Sequence, residues 1–176
     1  MRVIGGKYKG RSLLSFDGFD IRPTSDRARE SLFNILQFDI IEKTFLDLFC
    51  GTGAMGIEAL SRGAKRVVFN DNSKKSLSLT KANLEKLKVS EDYKLTNFNG
   101  EDYLKSTTEL FDIIFLDPPY NLTNQAELIE LALNKITPDG VVIFESENKI
   151  EEIVLGGQEV DFRKYGRAYL TFYKKV

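Results

Sequence analysis

The chain has 176 residues, of which 42% are hydrophobic and 29% charged, a composition typical of one globular domain with a buried core. It contains no histidine and one cysteine, which excludes histidine catalysis and an internal disulfide and argues against a metal site. No apolar run approaches the roughly 18 residues of a membrane span, and residues 1–10 lack the apolar stretch of a signal peptide. We therefore expect a cytoplasmic protein with neither a metal nor a membrane partner.

The charges are distributed unevenly along the chain, although the net charge is only −1. Residues 1–29 carry seven basic and three acidic side chains, and residues 161–176 carry five basic and one acidic. Basic ends around an acidic middle indicate a surface that binds a polyanion such as a nucleic acid. Solvated surface charge without a partner is the alternative interpretation.

The first 38 residues are predicted to form a hairpin and a helix. Residues 1–14 contain two short segments separated by a pair of glycines, which favours a β-hairpin. Residues 25–38 show an apolar stripe at helical spacing, and Thr24 or Ser25 can cap the helix. The stripe consists of Ala28, Leu32, Ile35 and Leu36.

From Thr44 onward, predicted strands alternate with predicted helices. The strands are 45–49, 66–70, 93–98, 112–116, 141–145, 159–164 and 168–173. The helices are 54–62, 73–87, 102–107 and 123–136. This alternation predicts an α/β fold with a mainly parallel sheet, whose last two strands are antiparallel because a short turn joins them. We expect one domain, 1–176, with 1–38 as an N-terminal extension.

The first strand runs into a glycine-rich turn, Asp47-Leu48-Phe49-Cys50-Gly51-Thr52-Gly53-Ala54-Met55-Gly56. Its glycines permit a tight turn and close approach of the backbone to a ligand at a helix N-terminus. A carboxylate near the end of a buried strand is costly unless it is used, so Asp47 is a candidate for binding the cationic amino-acid part of S-adenosylmethionine. Capping of local backbone amides is the alternative role of Asp47.

Acidic residues also follow the second and third strands. Asp71 lies 15 residues after Gly56, where a carboxylate can accept hydrogen bonds from both hydroxyls of an adenosine ribose. A position in a surface turn is the alternative. Asp102 is a candidate acceptor for an adenine amino group or the N-cap of the following helix.

The fourth strand ends in Asp117-Pro118-Pro119-Tyr120, the most specific motif of the chain. Two prolines fix a kink where the strand leaves the sheet. The Asp117 carboxylate and the Pro118 carbonyl can accept hydrogen bonds from an exocyclic amino group and direct its lone pair toward a methyl donor. Tyr120 can stack on the base that carries the amino group. These four residues are therefore the predicted catalytic residues.

Together these motifs resemble those of class I amino-methyltransferases, and the N-terminal region resembles the RsmD family. That part of the resemblance rests on Met1 to Arg11 and on Arg22-Pro23-Thr24-Ser25-Asp26-Arg27-Ala28-Arg29-Glu30-Ser31-Leu32-Phe33-Asn34-Ile35-Leu36. The resemblance covers nearly the whole chain. It implies a Rossmann-like sheet of seven strands with the last strand antiparallel. It also implies S-adenosyl-L-methionine as methyl donor and the N2 amino group of a guanine in 16S ribosomal RNA as target.

Two sets of binding residues complete the expectation, together with a monomer that acts on 16S ribosomal RNA or the small ribosomal subunit. The residues expected to bind the donor are Asp47, Phe49, Gly51, Thr52, Gly53, Gly56, Asp71, Asn72, Asp102 and Tyr103. The residues expected to contact RNA are Lys7, Lys9, Arg11, Arg22, Arg27, Arg29 and Arg167, and those near the N-terminus are expected beside the methyl-transfer pocket.

Other functions remain open on the sequence alone. An enzyme acting on adenine N6, or on another amino group in DNA, RNA or protein, is the first alternative. DNA adenine enzymes share the Asp-Pro-Pro-Tyr motif but usually carry a sizeable recognition domain, and protein-glutamine enzymes typically have Asn in place of Asp117. A nicotinamide dehydrogenase would explain the glycines but would leave that motif without a role. An RNA-binding assembly factor would need no chemistry, which the intact turn and motif argue against.

Overall fold

The computed structural model describes residues 1–16 and 26–176, which form five helices and seven strands. The helices are α1 (Asp26–Ile35), α2 (Ala54–Ser61), α3 (Lys74–Leu87), α4 (Gly100–Ser106) and α5 (Gln125–Leu133). The strands are β1 (Thr44–Asp47), β2 (Arg66–Asn70), β3 (Asp92–Thr96), β4 (Phe111–Leu116), β5 (Ile136–Ser146), β6 (Gly157–Tyr165) and β7 (Ala168–Lys175).

The strands form one sheet in the order β3-β2-β1-β4-β5-β7-β6. Strands β1 to β5 pair in parallel, whereas β7 pairs antiparallel with both β5 and β6. The predicted α/β class, the seven strands and the antiparallel last strand are therefore confirmed. The order reverses between β1 and β4, the point at which open α/β sheets bind ligands outside the carboxyl ends of their strands.

Hydrophobic residues cover both faces of the sheet, as alternation along buried parallel strands requires. One face packs against α1, α2 and α3, and the other packs against α4 and α5. The strand residues on the first face include Phe45, Val67, Phe69, Ile113, Phe115 and Ile143. Those on the second face include Leu46, Val68, Ile114, Leu116, Val142 and Phe144. The two cores hold the strand ends rigidly, so groups beyond those ends are well positioned.

The region between α5 and β5 differs from the prediction. The predicted helix 123–136 ends at Leu133, and β5 begins at Ile136, five residues earlier than expected. Ile136 pairs with Phe111, and the ladder then shifts register before Ile113 pairs with Val141. Pro138 lies within this irregularity, where a proline is tolerated because no ladder hydrogen bond is required.

The N-terminal segment pairs antiparallel with itself, but by a single bridge between Arg2 and Ser12 rather than by two strands. Residues 5–10 form the turn, so the predicted second strand is shorter than expected. Backbone hydrogen bonds join its two halves, such as that from the Val3 amide to the Arg11 carbonyl. The segment is also bound to α2, where Glu58 accepts the amide hydrogens of Ile4 and Gly5, since a pair of short strands is marginal alone.

Helix α1 ends at Ile35 rather than at residue 38, and a turn follows. Ala28, Leu32 and Leu36 of the predicted stripe are buried, whereas Ile35 is 38% exposed. Phe33, outside the predicted stripe, is buried against Phe45 of β1. The predicted caps Thr24 and Ser25 lie outside the described residues.

Candidate active site

A cavity of about 640 Å³ lies at the carboxyl ends of the parallel strands, a volume that suits a ligand the size of a nucleoside with a side chain. It is bordered by the ends of β1, β2 and β4 and by the starts of α2 and α4. Of the predicted site residues, it brings together Arg29, Asp47, Phe49, Gly51, Thr52, Asp71, Asn72, Asp117, Pro118, Pro119 and Tyr120. The sequence did not single out Cys50, Ser76, Asn99, Gly100 and Glu101, which also line it.

The glycines of the turn after β1 have different tasks. Gly51 lines the cavity and has a φ of 53°, in the left-handed region that glycine tolerates. Gly56 does not line the cavity, because it faces the sheet: a Cβ there would lie 2.2 Å from Cε1 of Phe69. Gly53 begins α2, and its Cβ would lie 2.7 Å from Cγ2 of Thr80. Gly53 and Gly56 therefore shape the turn and do not line the cavity, and donor binding through their backbone stays a prediction.

Asp47 has the capping role that the sequence offered as an alternative, and it also lines the cavity in which donor binding is predicted. Its Oδ2 accepts the amide hydrogen of Gly56 at 3.0 Å, so the carboxylate fixes the start of α2. The same side chain lines the cavity although it is only 1% exposed. Burial raises the pKa of Asp47 to about 7, against the opposing effect of the Gly56 hydrogen bond. A cation placed beside it would lower that pKa again.

Asp71 anchors the glycine-rich turn to the end of β2. Its Oδ2 accepts the amide hydrogen of Gly51 at 3.0 Å, and its Oδ1 accepts that of Ser73 at 2.8 Å. Each carboxylate oxygen can accept further hydrogen bonds, so the side chain still has acceptor capacity toward the cavity that it lines. Asp71 is thus both a support for the turn and a candidate acceptor for ribose hydroxyls.

Asp102 and Tyr103 do not reach the cavity, in contrast to the prediction. Helix α4 begins at Gly100, two residues earlier than expected, because Asn99 caps it by accepting the amide hydrogen of Glu101. This phase turns Asp102 to solvent and buries Tyr103 in the core. Glu101 and Asn99 line the cavity instead. An Asn-Gly pair just before a helical segment was the available sequence signal for this earlier start.

The Asp117-Pro118-Pro119-Tyr120 loop separates the main cavity from a second one of about 180 Å³. Pro118, Pro119 and Tyr120 line both cavities, and Tyr120 is 59% exposed at their shared edge. The remaining residues of the second cavity are Gln125, Glu145, Ser146, Glu147, Asn148 and Lys149. An extended group that enters past Tyr120 therefore has Asp117 on one side and the end of β5 on the other.

Three basic residues predicted beside the pocket lie at the opposite edge of the sheet. The backbone of Lys7 bonds to the last residue of α2, and its ammonium pairs with Glu91 at 2.6 Å. The guanidinium of Arg11 donates to the Lys86 carbonyl near the end of α3, which spans 14 residues, or about 20 Å. Lys9 lies in the turn between them. The predicted position beside the pocket was wrong for these three, because the turn at residues 5–10 lies at the far ends of α2 and α3. The two ends of the segment, Met1 and Ser15 with Phe16, do line the cavity.

Arg29 lines the cavity, as expected of a residue beside the pocket, but its side chain is only 1% exposed. Its Nη2 donates to the Arg2 carbonyl and to Asp26, and its Nε lies 3.9 Å from Oε2 of the buried Glu58. A phosphate on a polymer has no access to a guanidinium in this position. Arg29 therefore joins α1 to α2 within the wall of the cavity.

The other predicted RNA contacts remain candidates. Arg27 is exposed on α1, and Arg167 is exposed in the turn between β6 and β7. That turn is at the edge that holds the cavity, because Tyr169 at the start of β7 pairs with Ser146 at the end of β5. Arg22 lies outside the described residues.

Within residues 1–16 and 26–176, no helix has the length and apolar character needed to cross a membrane. In the same part of the chain, no group of three or more acidic or cysteine side chains is arranged to hold a metal ion. The acidic side chains at the cavity are separate groups, each with its own partners.

The mainly parallel sheet, the glycine-rich turn and the cavity at the strand ends define a class I methyltransferase, whose methyl donor is S-adenosylmethionine. The family described as Conserved hypothetical protein 95 matches residues 1–174, and the chain belongs to this family. The resemblance to the RsmD family is thereby confirmed.

Relatives are similar over most of the chain. The Bacillus subtilis protein YlbH is 36% identical over 182 residues, which cover 99% of both chains. Ribosomal RNA small subunit methyltransferase D of Haemophilus influenzae is 39% identical over 152 residues, covering 84% of this chain and 79% of the relative. The solved structure of the Escherichia coli protein yhhF superposes with a TM-score of 0.88 at 30% identity, covering 99% of this chain and 97% of that one.

Proposed function

We propose that this protein methylates the exocyclic N2 amino group of a guanine in small-subunit ribosomal RNA. The observation that carries the proposal is that Asp117 and Tyr120 both line the main cavity, while Tyr120 also lines the second cavity beside it. Relatives named ribosomal RNA small subunit methyltransferase D support the RNA class, and the resemblance to the RsmD family supports guanine N2.

The amino group of guanine is a poor nucleophile, because its lone pair is delocalised into the ring. S-adenosylmethionine supplies a methyl group on a positively charged sulfur, and no strong base is needed before attack. Asp117 and the Pro118 carbonyl accept the two amino hydrogens and direct the nitrogen lone pair at the donor. Positive charge develops on the nitrogen as the new bond forms, so the interaction with Asp117 strengthens in the transition state. The released proton passes to Asp117 or to water.

The function is tested by nucleoside mass spectrometry of ribosomal RNA from a strain that lacks this protein. We expect one N2-methylguanosine to disappear from the small-subunit RNA and to return with the wild-type gene, but not with a gene that encodes Asp117→Ala. Loss of N6-methyladenosine, or an unchanged set of modified nucleosides, would instead support one of the alternative functions.

Donor binding is expected to release a proton from Asp47. The pKa of this carboxyl is about 7 without a ligand, and the ammonium of the donor would lower it by favouring the ionised form. Binding should therefore strengthen as the pH rises from 6 to 8 and weaken as the pH falls through 7. Calorimetry with S-adenosylhomocysteine at pH 6.5, in buffers of different ionisation enthalpy, should show release of roughly 0.5–0.8 proton.

Asp47→Asn is the control for this experiment, since an asparagine oxygen still accepts the Gly56 amide hydrogen but cannot titrate. The variant should bind without releasing this proton. The same proton release in Asp47→Asn would show that another group is responsible.

The RNA is expected to lie across the β6–β7 turn. Lys164 and Arg167 are exposed there, at the edge of the sheet that holds both cavities. The double substitution Lys164→Glu and Arg167→Glu should weaken RNA binding at least about tenfold at low salt and reduce the salt slope by roughly 1–2, as the loss of two phosphate contacts requires. Fluorescence anisotropy at several salt concentrations measures both quantities.

Lys9→Glu with Arg11→Glu is the matched control, because it changes the net charge equally at the opposite edge. It should have a much smaller effect than the β6–β7 pair. If both pairs weaken binding equally, the RNA is attracted by overall charge rather than bound across the β6–β7 turn.

A further inference from the structure

The end of β5 places a carboxylate next to the catalytic loop. In the parallel ladder, Leu116 of β4 pairs with Phe144 of β5. The next residue along the chain is acidic in both cases, since Asp117 directly follows β4 and Glu145 lies in β5. Neighbouring strands lie about 4.8 Å apart, so the backbones of Asp117 and Glu145 occupy neighbouring positions at the end of the sheet. Asp117 borders the donor cavity, and Glu145 borders the second cavity.

The second cavity is suited to hold one edge of the target base. Its walls include Tyr120, the residue predicted to stack on that base, and Pro118, whose carbonyl is a predicted acceptor for the amino group. Glu145 is half-buried there, so it is accessible from the cavity and partly shielded from water. A charged hydrogen bond in such a position is stronger than one in open solvent.

Guanine differs from the other amino-bearing bases at the ring atom next to the amino group. On its Watson–Crick edge, N1 of guanine carries a hydrogen beside the N2 amino group. Adenine and cytosine have a bare ring nitrogen at the corresponding position, which is an acceptor. Two adjacent carboxylates therefore match guanine, which offers donors to both, and would face an unfavourable lone pair in adenine or cytosine.

We propose that Glu145 is a specificity-determining residue that accepts the N1 hydrogen of the target guanine while Asp117 accepts a hydrogen of the N2 amino group. The inference rests on the proposed function, since it assigns a residue to the recognition of the same base. It gives the second cavity a role that the methyl donor does not require. In this role Glu145 contacts the base but takes no part in methyl transfer. Its substitution should therefore change the preference between bases, whereas substitution of Asp117 should lower the rate of methyl transfer.

The test compares guanosine with 2-aminopurine riboside at the target position of the cognate RNA. 2-Aminopurine keeps the reacting amino group but has a bare N1 and lacks the O6 carbonyl of guanine, so the N1 contact is measured by comparing wild type with Glu145→Gln. We expect wild-type kcat/KM to be about tenfold or more higher with guanosine, as the loss of a charged hydrogen bond implies. In Glu145→Gln the preference should fall to within about threefold, because the glutamine amide can donate a hydrogen to the bare nitrogen.

Glu151→Gln is the matched control, since Glu151 is exposed, lines neither cavity and loses the same charge. It should keep the wild-type preference. An unchanged preference in Glu145→Gln, or a wild-type enzyme that methylates both RNAs equally, overturns the inference. If Glu145→Gln does not fold, as judged by thermal unfolding with S-adenosylhomocysteine, Glu145→Asp replaces it, and a shortened carboxylate should also reduce the preference.

If the proposed function itself is wrong, the outcome differs from the one that rejects only the role of Glu145. In that case the wild-type enzyme would not form N2-methylguanosine in any small-subunit RNA. Normal methylation of guanosine, combined with no effect of Glu145→Gln on the preference, would leave the proposed function intact and reject only the role of Glu145.

Discussion

Asp117→Ala is expected to lower kcat by roughly 10²–10⁴, the range for a positioned group that interacts with a transferring proton. The loss follows from the developing charge on the amine, which the carboxylate stabilises most in the transition state. Affinity for S-adenosylhomocysteine should change little, because we expect Asp47 and Asp71, rather than Asp117, to bind the ammonium and ribose of the donor. Single-turnover rates on the cognate RNA measure the effect without interference from product release.

Asp117→Asn tests how much of this effect depends on the charge of the carboxylate. It keeps an acceptor oxygen and the size of the side chain but loses the charge, so it should retain more activity than Asp117→Ala. A rate for Asp117→Ala within about threefold of wild type, or a barrier change of about 0.65 kcal/mol, would show that the catalytic residue is a different one.

Tyr120→Ala is expected to reduce the single-turnover rate about 10–100-fold, because the base loses the aromatic face that holds it in line. Stacking of a base on an aromatic side chain contributes about 1–3 kcal/mol, which sets the size of this effect. Tyr120 is 59% exposed and outside both hydrophobic clusters, so its removal should leave the free energy of unfolding nearly unchanged. Thermal unfolding checks this point.

Tyr120→Phe separates stacking from hydrogen bonding by the tyrosine hydroxyl. It keeps the aromatic face, and we expect a rate within a few-fold of wild type. Equal losses in Tyr120→Phe and Tyr120→Ala would assign the effect to the hydroxyl and contradict the stacking role.

The sequence by itself determined the parts of the site that are contiguous in the chain. The glycine-rich turn could be located because its backbone needs Gly51 and its helix packing needs Gly56, and both are local requirements. The Asp-Pro-Pro-Tyr kink is likewise set by proline geometry. The alternation of apolar strands with helices was sufficient to predict the mainly parallel sheet, because strands that are covered on both faces must be apolar. The ends of helices and strands were predicted less accurately, and β5, for example, begins five residues earlier than expected.

Only the tertiary structure decided which separated residues meet at the cavity. The direction of the N-terminal segment along α2 placed Lys7 far from it, and packing between α1 and α2 buried Arg29. The Asn99 cap set the phase of α4, which replaced Asp102 by Glu101 at the cavity wall. These outcomes depend on contacts between distant parts of the chain, which no local pattern encodes, and the same reason applies to Glu145, which register alone brings beside Asp117.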